Sequence, residues 1–375
     1  MPQLANRQAV RRRIERTATA ALVIFCSLCP VLAQEQSPPE KRAEKREDQS
    51  TTIRVDTDLV LIDVKVTDRG DGHAVTGLQA GEFAVYEDGV AQQIALFSAT
   101  NVPLSLVLVI DTSGSTQSEV GLMRKAARRF LDELRPQDRV AVVAFSQEIE
   151  LLSDFTSDHG KTEHALGELQ PGQGTAFYDA LALTVEEVLH RAEGRKAVVV
   201  LTDGVDSYGR YTYSQVLPEL EKGQAVIYFL EIDTEAFTAE RLMLDCSDER
   251  HFRLSHKQLR KYAEKFDPGA QWWSQQYCTF PRERKQQITK RLYELAHQEL
   301  YEIASRTGGR VYPVKALQAL SQVYALIATE LRTQYAIGYY SSNERRDGKW
   351  RTLRVELKGD GLVAKTKPGY RAPHD

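Results

Sequence analysis

The stretch LSLVLVIDTSGS, Leu104 to Ser115, decides the fold. Its first seven residues are apolar apart from Ser105 and show no alternation. A strand of that kind is buried on both faces, as in a parallel sheet covered by helices. Three more runs repeat the pattern: RVAVVAF (139–145), KAVVVLT (196–202) and AVIYFLEI (225–232). Between them Val120, Met123, Ala127, Phe130, Leu131 and Leu134 recur at helical spacing, as do Phe177, Ala180, Leu181, Leu183, Thr184 and Val188. Strands alternating with amphipathic helices predict an open, mostly parallel α/β sheet over residues 101–333.

Outside this block the period changes to two. Ile62, Val64 and Val66 alternate with Asp63, Lys65 and Thr67, and Phe83–Tyr86 is expected to meet Ile94–Phe97 across a turn at Asp88-Gly89. Beyond Arg332, Tyr335, Ile337 and Tyr339 alternate, then Leu353, Val355 and Leu357, with turns at Asp347-Gly348 and 359–361. Each flank alone is too small to bury a core. The expectation is that 51–100 and 334–375 pack together as a small antiparallel β domain, with the α/β block inserted between them.

The N-terminus has the three parts of a secretory signal over residues 1–33: five arginines at the start, an apolar stretch from Ala18 to Leu28, and Val31-Leu32-Ala33 as a small-residue cleavage site. Residues 34–50 hold no large apolar side chain and read as a solvated tether. Loss of residues 1–33 removes five Arg and one Glu and takes the formal charge from −3 to −7, which disfavours a nucleic-acid partner. No other apolar run reaches the roughly 20 residues of a membrane span, so the mature chain is expected to be exported, to the periplasm or beyond the cell. Of the four cysteines two leave with the signal. Cys246 and Cys278 remain, and in an oxidising compartment they are candidates for a disulfide.

The chemistry gathers where strands end, because open α/β sheets bind ligands outside the carboxyl ends of their strands. Asp111, Ser113 and Ser115 follow the first strand; Thr175 lies in the Gly-rich loop PGQGTAF before a helix; Asp203 follows the third strand. Taken singly these are also helix caps and turn formers. Taken together they are two carboxylates and three hydroxyls with no His or Cys. Such an oxygen-only set suits a hard cation that keeps some of its waters, Mg²⁺ above all, with Mn²⁺ able to substitute.

DTSGS together with Thr175 and Asp203 resembles the metal-ion-dependent adhesion site of von Willebrand factor type A domains. All five positions match over a block from about 103 to 332. LQAGEFAVYEDGVAQQI, LRTQYAIGYY and the terminal PGYRA are similar to the flanks of the exported, acidobacterial-type subgroup of these proteins. The resemblance implies a Rossmann-like sheet of the von Willebrand factor A type. It also implies direct coordination by Ser113 and Ser115, contact largely through water from Asp111 and Asp203, and a Thr175 that switches between the two. An Asp or Glu of a partner protein would fill the open position. The family's next helix is expected soon after Asp233, yet here it is the one ending in ELYEIASRTGGRVY, so residues 234 to about 285 are an insertion. It holds both cysteines, Trp272-Trp273 and a basic stretch including Arg250, Arg253, Lys257, Arg260, Lys261 and Lys265. The insertion reads either as a cap that selects the partner or as a solvated excursion whose charges face water.

Catalytic signatures are wanting: the eight His include no HExxH, and there is neither a GxSxG nor a Walker loop. The sequence therefore predicts a non-enzymatic adhesion module. The alternatives are an envelope scaffold with a structural metal and a metal-dependent hydrolase.

Overall fold

The computed structural model describes residues 59–70, 73–98, 103–114, 120–242, 254–268, 276–314 and 316–374. The expected signal and tether, Ser115, Cys246, Arg250, Arg253 and Trp272-Trp273 lie outside the described residues. Contacts divide the chain into Met1–Thr57 and Asp58–Asp375, and every element below belongs to the second unit.

All eight residues of β5 (Leu104–Asp111) are buried, and this follows from its place in the middle of a six-stranded sheet. Its neighbours are β6 (Arg139–Phe145) and β8 (Arg195–Thr202), both parallel to it. Outward from β8 come β9 (Val226–Ile232) and β10 (Val311–Val314), also parallel. On the other side β7 (Ile149–Thr156) closes the sheet antiparallel to β6. The last two strands of this sheet to be named, β7 and β10, carry no long apolar run, so periodicity does not announce them.

Alternate residues of β5 serve two cores. Leu106, Leu108 and Ile110 pack with helix α1 (Val120–Asp132) and helix α8 (Leu320–Thr333). Val107 and Val109 pack with α3 (Phe177–Leu183), α4 (Tyr213–Lys222) and α7 (Arg282–Thr307). Phe130 of α1 stacks on Tyr324 of α8 with ring centroids 4.7 Å apart, so the two helices are bound over the sheet through aromatic area as well as aliphatic. Asp158 caps α2 (His159–Gly167) by accepting from the backbone N–H groups of Gly160 and Lys161.

The flanks build two further sheets, both antiparallel. In one, β1 (Leu59–Asp68) pairs with β11 (Tyr335–Tyr340) and β13 (Leu362–Lys365), and β4 (Ile94–Ser98) pairs with β11. In the other, β12 (Trp350–Leu357) lies between β2 (Phe83–Glu87) and β14 (Gly369–Arg371), with β3 (Val90–Gln92) at the edge beyond β2. Each sheet thus combines strands from both ends of the chain, and Val60, Ile62, Val64, Phe83, Val85, Ile337 and Leu353 form the core between them.

One pairing differs from expectation. The Asp88-Gly89 turn joins β2 to β3, whereas Ile94–Phe97 crosses to the other sheet and pairs with β11. The reason is aromatic packing across the sandwich: Phe97 faces Phe83 at 5.3 Å and Tyr335 at 5.8 Å. Beside this core Glu87 is buried, and it accepts from the hydroxyls of Tyr339, Ser341 and Tyr370 at 2.8, 2.6 and 2.8 Å, which gives the carboxylate the donors that burial demands.

Charged pairs join the β sheets to the α/β block. Arg195, at the start of β8, donates to Asp63 of β1 at 2.6 Å and to Gln334 Oε1 at 2.7 Å. Glu221 of α4 receives Arg306 of α7 and Arg371 of β14, each at 2.7 Å.

Candidate metal centre

Asp111 ends β5 and is fully buried. Beyond it the chain stays against the sheet for one more residue, because Thr112 N–H donates to Phe145 O at 2.8 Å. It then turns. Ser113 N–H donates to Asp111 Oδ1 at 2.9 Å, so the carboxylate shapes the loop that presents the serine. Asp111 Oδ2 accepts from Thr202 Oγ1 at 2.8 Å across the β5–β8 pair, and Thr202 Oγ1 in turn accepts from Gly204 N–H at 3.0 Å.

Asp203 follows β8 and is 5% exposed. Its Oδ1 accepts from Val205 N–H at 3.0 Å and its Oδ2 from Thr234 Oγ1 at 2.6 Å. Burial first, and the charge of Asp203 second, push the pKa of Asp111 up to about 7. Two anionic side chains at the ends of adjacent strands therefore oppose each other's ionisation.

Thr175 stands on a loop tied to the same end of the sheet. The 171–176 loop is sewn to the ends of β5 and β6 by Gly172 N–H to Thr112 O (2.7 Å), Gln147 N–H to Gln173 O (2.8 Å) and Ala176 N–H to Ser146 O (2.8 Å). Gly172 is what permits the approach, since a Cβ there would lie 2.2 Å from Ser146 Oγ. Thr175 itself is held by the loop that follows Asp203: its N–H donates to Ser207 Oγ at 2.9 Å, and its carbonyl accepts from Ser207 and Tyr208 N–H. Among the described residues its hydroxyl makes no hydrogen bond.

Four of the five expected residues, Asp111, Ser113, Thr175 and Asp203, are thus placed on loops at the carboxyl ends of β5 and β8 and on the loop sewn to them. Ser115 lies outside the described residues. Thr202, Thr234 and Ser207 support the set and were not anticipated. The signal for Thr202 and Thr234 was nonetheless available: each is a hydroxyl at the carboxyl end of a buried strand. Thr234 also bonds to Tyr293 OH at 2.8 Å, as does Thr238, so Asp203 is linked through Thr234 to α7 and to α5 (Glu235–Leu242).

The insertion is attached through its cations. On α6 (His256–Phe266) Lys257 forms an ion pair with buried Asp206, three residues past Asp203, and donates to Tyr211 O at 2.7 Å and to Gly209 O. One turn on, Lys261 binds Glu299 at 2.6 Å and Tyr178 OH at 2.9 Å. The reading of the basic stretch as a solvated face is corrected for these two lysines: they face the α/β block because the carboxylates beneath them are buried and need a counter-charge. Arg260 keeps to the surface with Glu264 at 3.6 Å. Cys278 lies in the short helical turn Gln276–Thr279 just before α7.

A family model for the von Willebrand factor type A domain matches residues 106–205. Over those residues the chain is similar to a von Willebrand factor type A domain. The protein sll0103 of Synechocystis sp. is 30% identical over 112 residues, covering 29% of this chain and 27% of that protein. Inter-alpha-trypsin inhibitor heavy chain H4 of Bos taurus is 26% identical over 220 residues, 55% of this chain and 22% of that one. The chain therefore spans about a quarter of the length of these curated relatives. A von Willebrand factor type A structure from Catenulispora acidiphila is 13% identical with a TM-score of 0.42, covering 85% of this chain and 74% of that one. No helix among the described residues is long and apolar enough to cross a membrane.

Proposed function

We propose that the chain is an exported, non-enzymatic protein-interaction module that holds a divalent cation, Mg²⁺ or alternatively Mn²⁺, and through it the Asp or Glu of a partner protein. What supports the reading is that Asp111, Asp203 and Thr175 stand at the carboxyl end of one sheet, on segments hydrogen-bonded to one another. Ser113 and Ser115 would hold the ion directly, Asp111 and Asp203 largely through water, and Thr175 in either way. The bound ion supplies the counter-charge that two opposed carboxylates call for, and its vacant position gives it Lewis acidity toward a third.

We assign partner selection to the insertion, because α6 is anchored by Lys257 to the loop that leaves Asp203. Tyr208, 55% exposed on that loop, offers the aromatic surface from which interface contacts are commonly built. Pairing of Cys246 with Cys278 would staple the insertion. The test is capture of envelope proteins on immobilised chain with Mg²⁺ and with EDTA. A partner retained only with Mg²⁺, and lost with Asp111→Ala, supports the reading; a partner indifferent to both contradicts it.

A further inference from the structure

At the amino-terminal ends of the parallel strands, across the α/β block from the metal centre, a cleft of about 400 Å³ opens between that block and the β sheets. Its floor includes Lys367, which is 9% exposed. The backbone around this lysine is fixed on several sides. Thr366 Oγ1 donates to Asp63 O at 2.9 Å, and Leu353 N–H donates to Pro368 O at 2.9 Å. Gly308, at φ +85°, lets the end of α7 come against it, where a Cβ would stand 3.2 Å from Lys367 N.

The ammonium, by contrast, forms no direct ion pair among the described residues, and Asp63 acts on it only through its charge. It stands 5.9 Å from the centroid of the Tyr370 ring. The two carboxylates lining the cleft are engaged elsewhere: Asp63 with Arg195 at 2.6 Å, Glu330 with Lys65 at 3.0 Å and Tyr312 OH at 2.9 Å. Lys365 and Arg310 add positive charge to the lining and are exposed. Burial lowers the Lys367 pKa to about 8, so the group is still mainly charged at neutral pH. A buried ammonium without a direct ion pair is costly, and a bound anion would supply the charge that Asp63, already paired with Arg195, gives only at a distance. Inter-module clefts with a few convergent polar groups are the usual place for a small ligand.

We propose that this cleft binds a small tetrahedral oxyanion, a phosphate group either free or carried as a sugar ester, with Lys367 as its central contact and Lys365 and Arg310 at its mouth. The site is independent of the metal centre and stands whether or not a cation binds there.

The experiment follows thermal unfolding of the EDTA-treated full chain against rising inorganic phosphate, glucose 6-phosphate or glucose, at ionic strength matched with chloride. The midpoint is expected to rise with phosphate or with glucose 6-phosphate beyond the chloride control. A rise with inorganic phosphate identifies the free ion as sufficient, and a rise with the ester alone assigns the sugar a part. In Lys367→Met the rise disappears, while the ligand-free midpoint stays at or above that of the parent because a buried charge is gone. No rise beyond chloride with either anion, or the same rise in Lys367→Met, overturns the proposal. Should Lys367→Met not fold, the double variant Lys365→Met, Arg310→Gln alters only exposed groups. Its anion affinity is expected to fall roughly fivefold, and unchanged affinity overturns the proposal in the same way.

Discussion

Replacing Lys257 by Met tests how the insertion is held to the α/β block. The variant keeps the length of the side chain and removes its charge, which leaves the Asp206 carboxyl buried with N–H from Tyr178 at 3.4 Å as its remaining donor among the described residues. Burial already raises the Asp206 pKa, and Lys257 is the largest influence pulling it down. Without the lysine the neutral acid is favoured. A carboxyl whose pKa is higher folded than unfolded binds more protons in the folded state, so its cost to stability grows as pH rises above the ordinary carboxylate range. The cost therefore falls as pH is lowered toward the ordinary carboxylate range, by at most about 1.4 kcal/mol per pH unit. Lost hydrogen bonds to Gly209 O and Tyr211 O add a part that does not depend on pH, about 1 kcal/mol each. Urea unfolding at pH 7 and pH 5 separates the two parts. The difference between parent and Lys257→Met should shrink at the lower pH, by no more than about 3 kcal/mol, and Asp206→Asn added to the variant should abolish that shrinkage. A deficit equal at both pH values would refute the ion-pair account.

Other perturbations have equally definite outcomes. Thr234→Val removes the 2.6 Å donor to Asp203 Oδ2; the fold should survive, and Mg²⁺ affinity measured by calorimetry should fall about 10- to 100-fold, as for other residues that orient a ligand. Phe130→Ala empties a fully buried site stacked on Tyr324, and denaturant unfolding should show a loss of about 3 to 5 kcal/mol. Peptide mapping without reductant should recover Cys278 joined to Cys246, and recovery of both as free thiols would contradict the proposed staple.

The parts of the fold legible in the sequence are those where one residue type repeats for one physical reason. β5, β6, β8 and β9 are read correctly because burial on both faces leaves nothing but apolar side chains. Phe83–Glu87 and Ile94–Ser98 are also read as strands, but their partner is misjudged: a turn signal at Asp88-Gly89 fixes only the neighbouring hairpin, while the sheet to which β4 belongs is chosen by Phe97 packing on Phe83 and Tyr335. Asp111, Thr175 and Asp203 are legible as positions at the carboxyl end of the sheet because the segments that leave it there are few. Thr234 could have been found by the same rule. Lys257 could not: its anchorage to Asp206 joins positions about fifty residues apart, and an amphipathic basic helix looks the same whether its lysines meet water or buried carboxylates. Lys367 was equally silent, since a lone lysine beside a proline says nothing of a cleft formed by two modules.

The central claim is that Asp111, Ser113, Ser115, Thr175 and Asp203 form a cation site. Its most direct test is calorimetric titration of the metal-free chain with Mg²⁺, and with Mn²⁺, for the parent and for Asp111→Ala. The account predicts one saturable site for either ion in the parent and none in the variant. Absence of binding in the parent, or undiminished binding in Asp111→Ala, would contradict it.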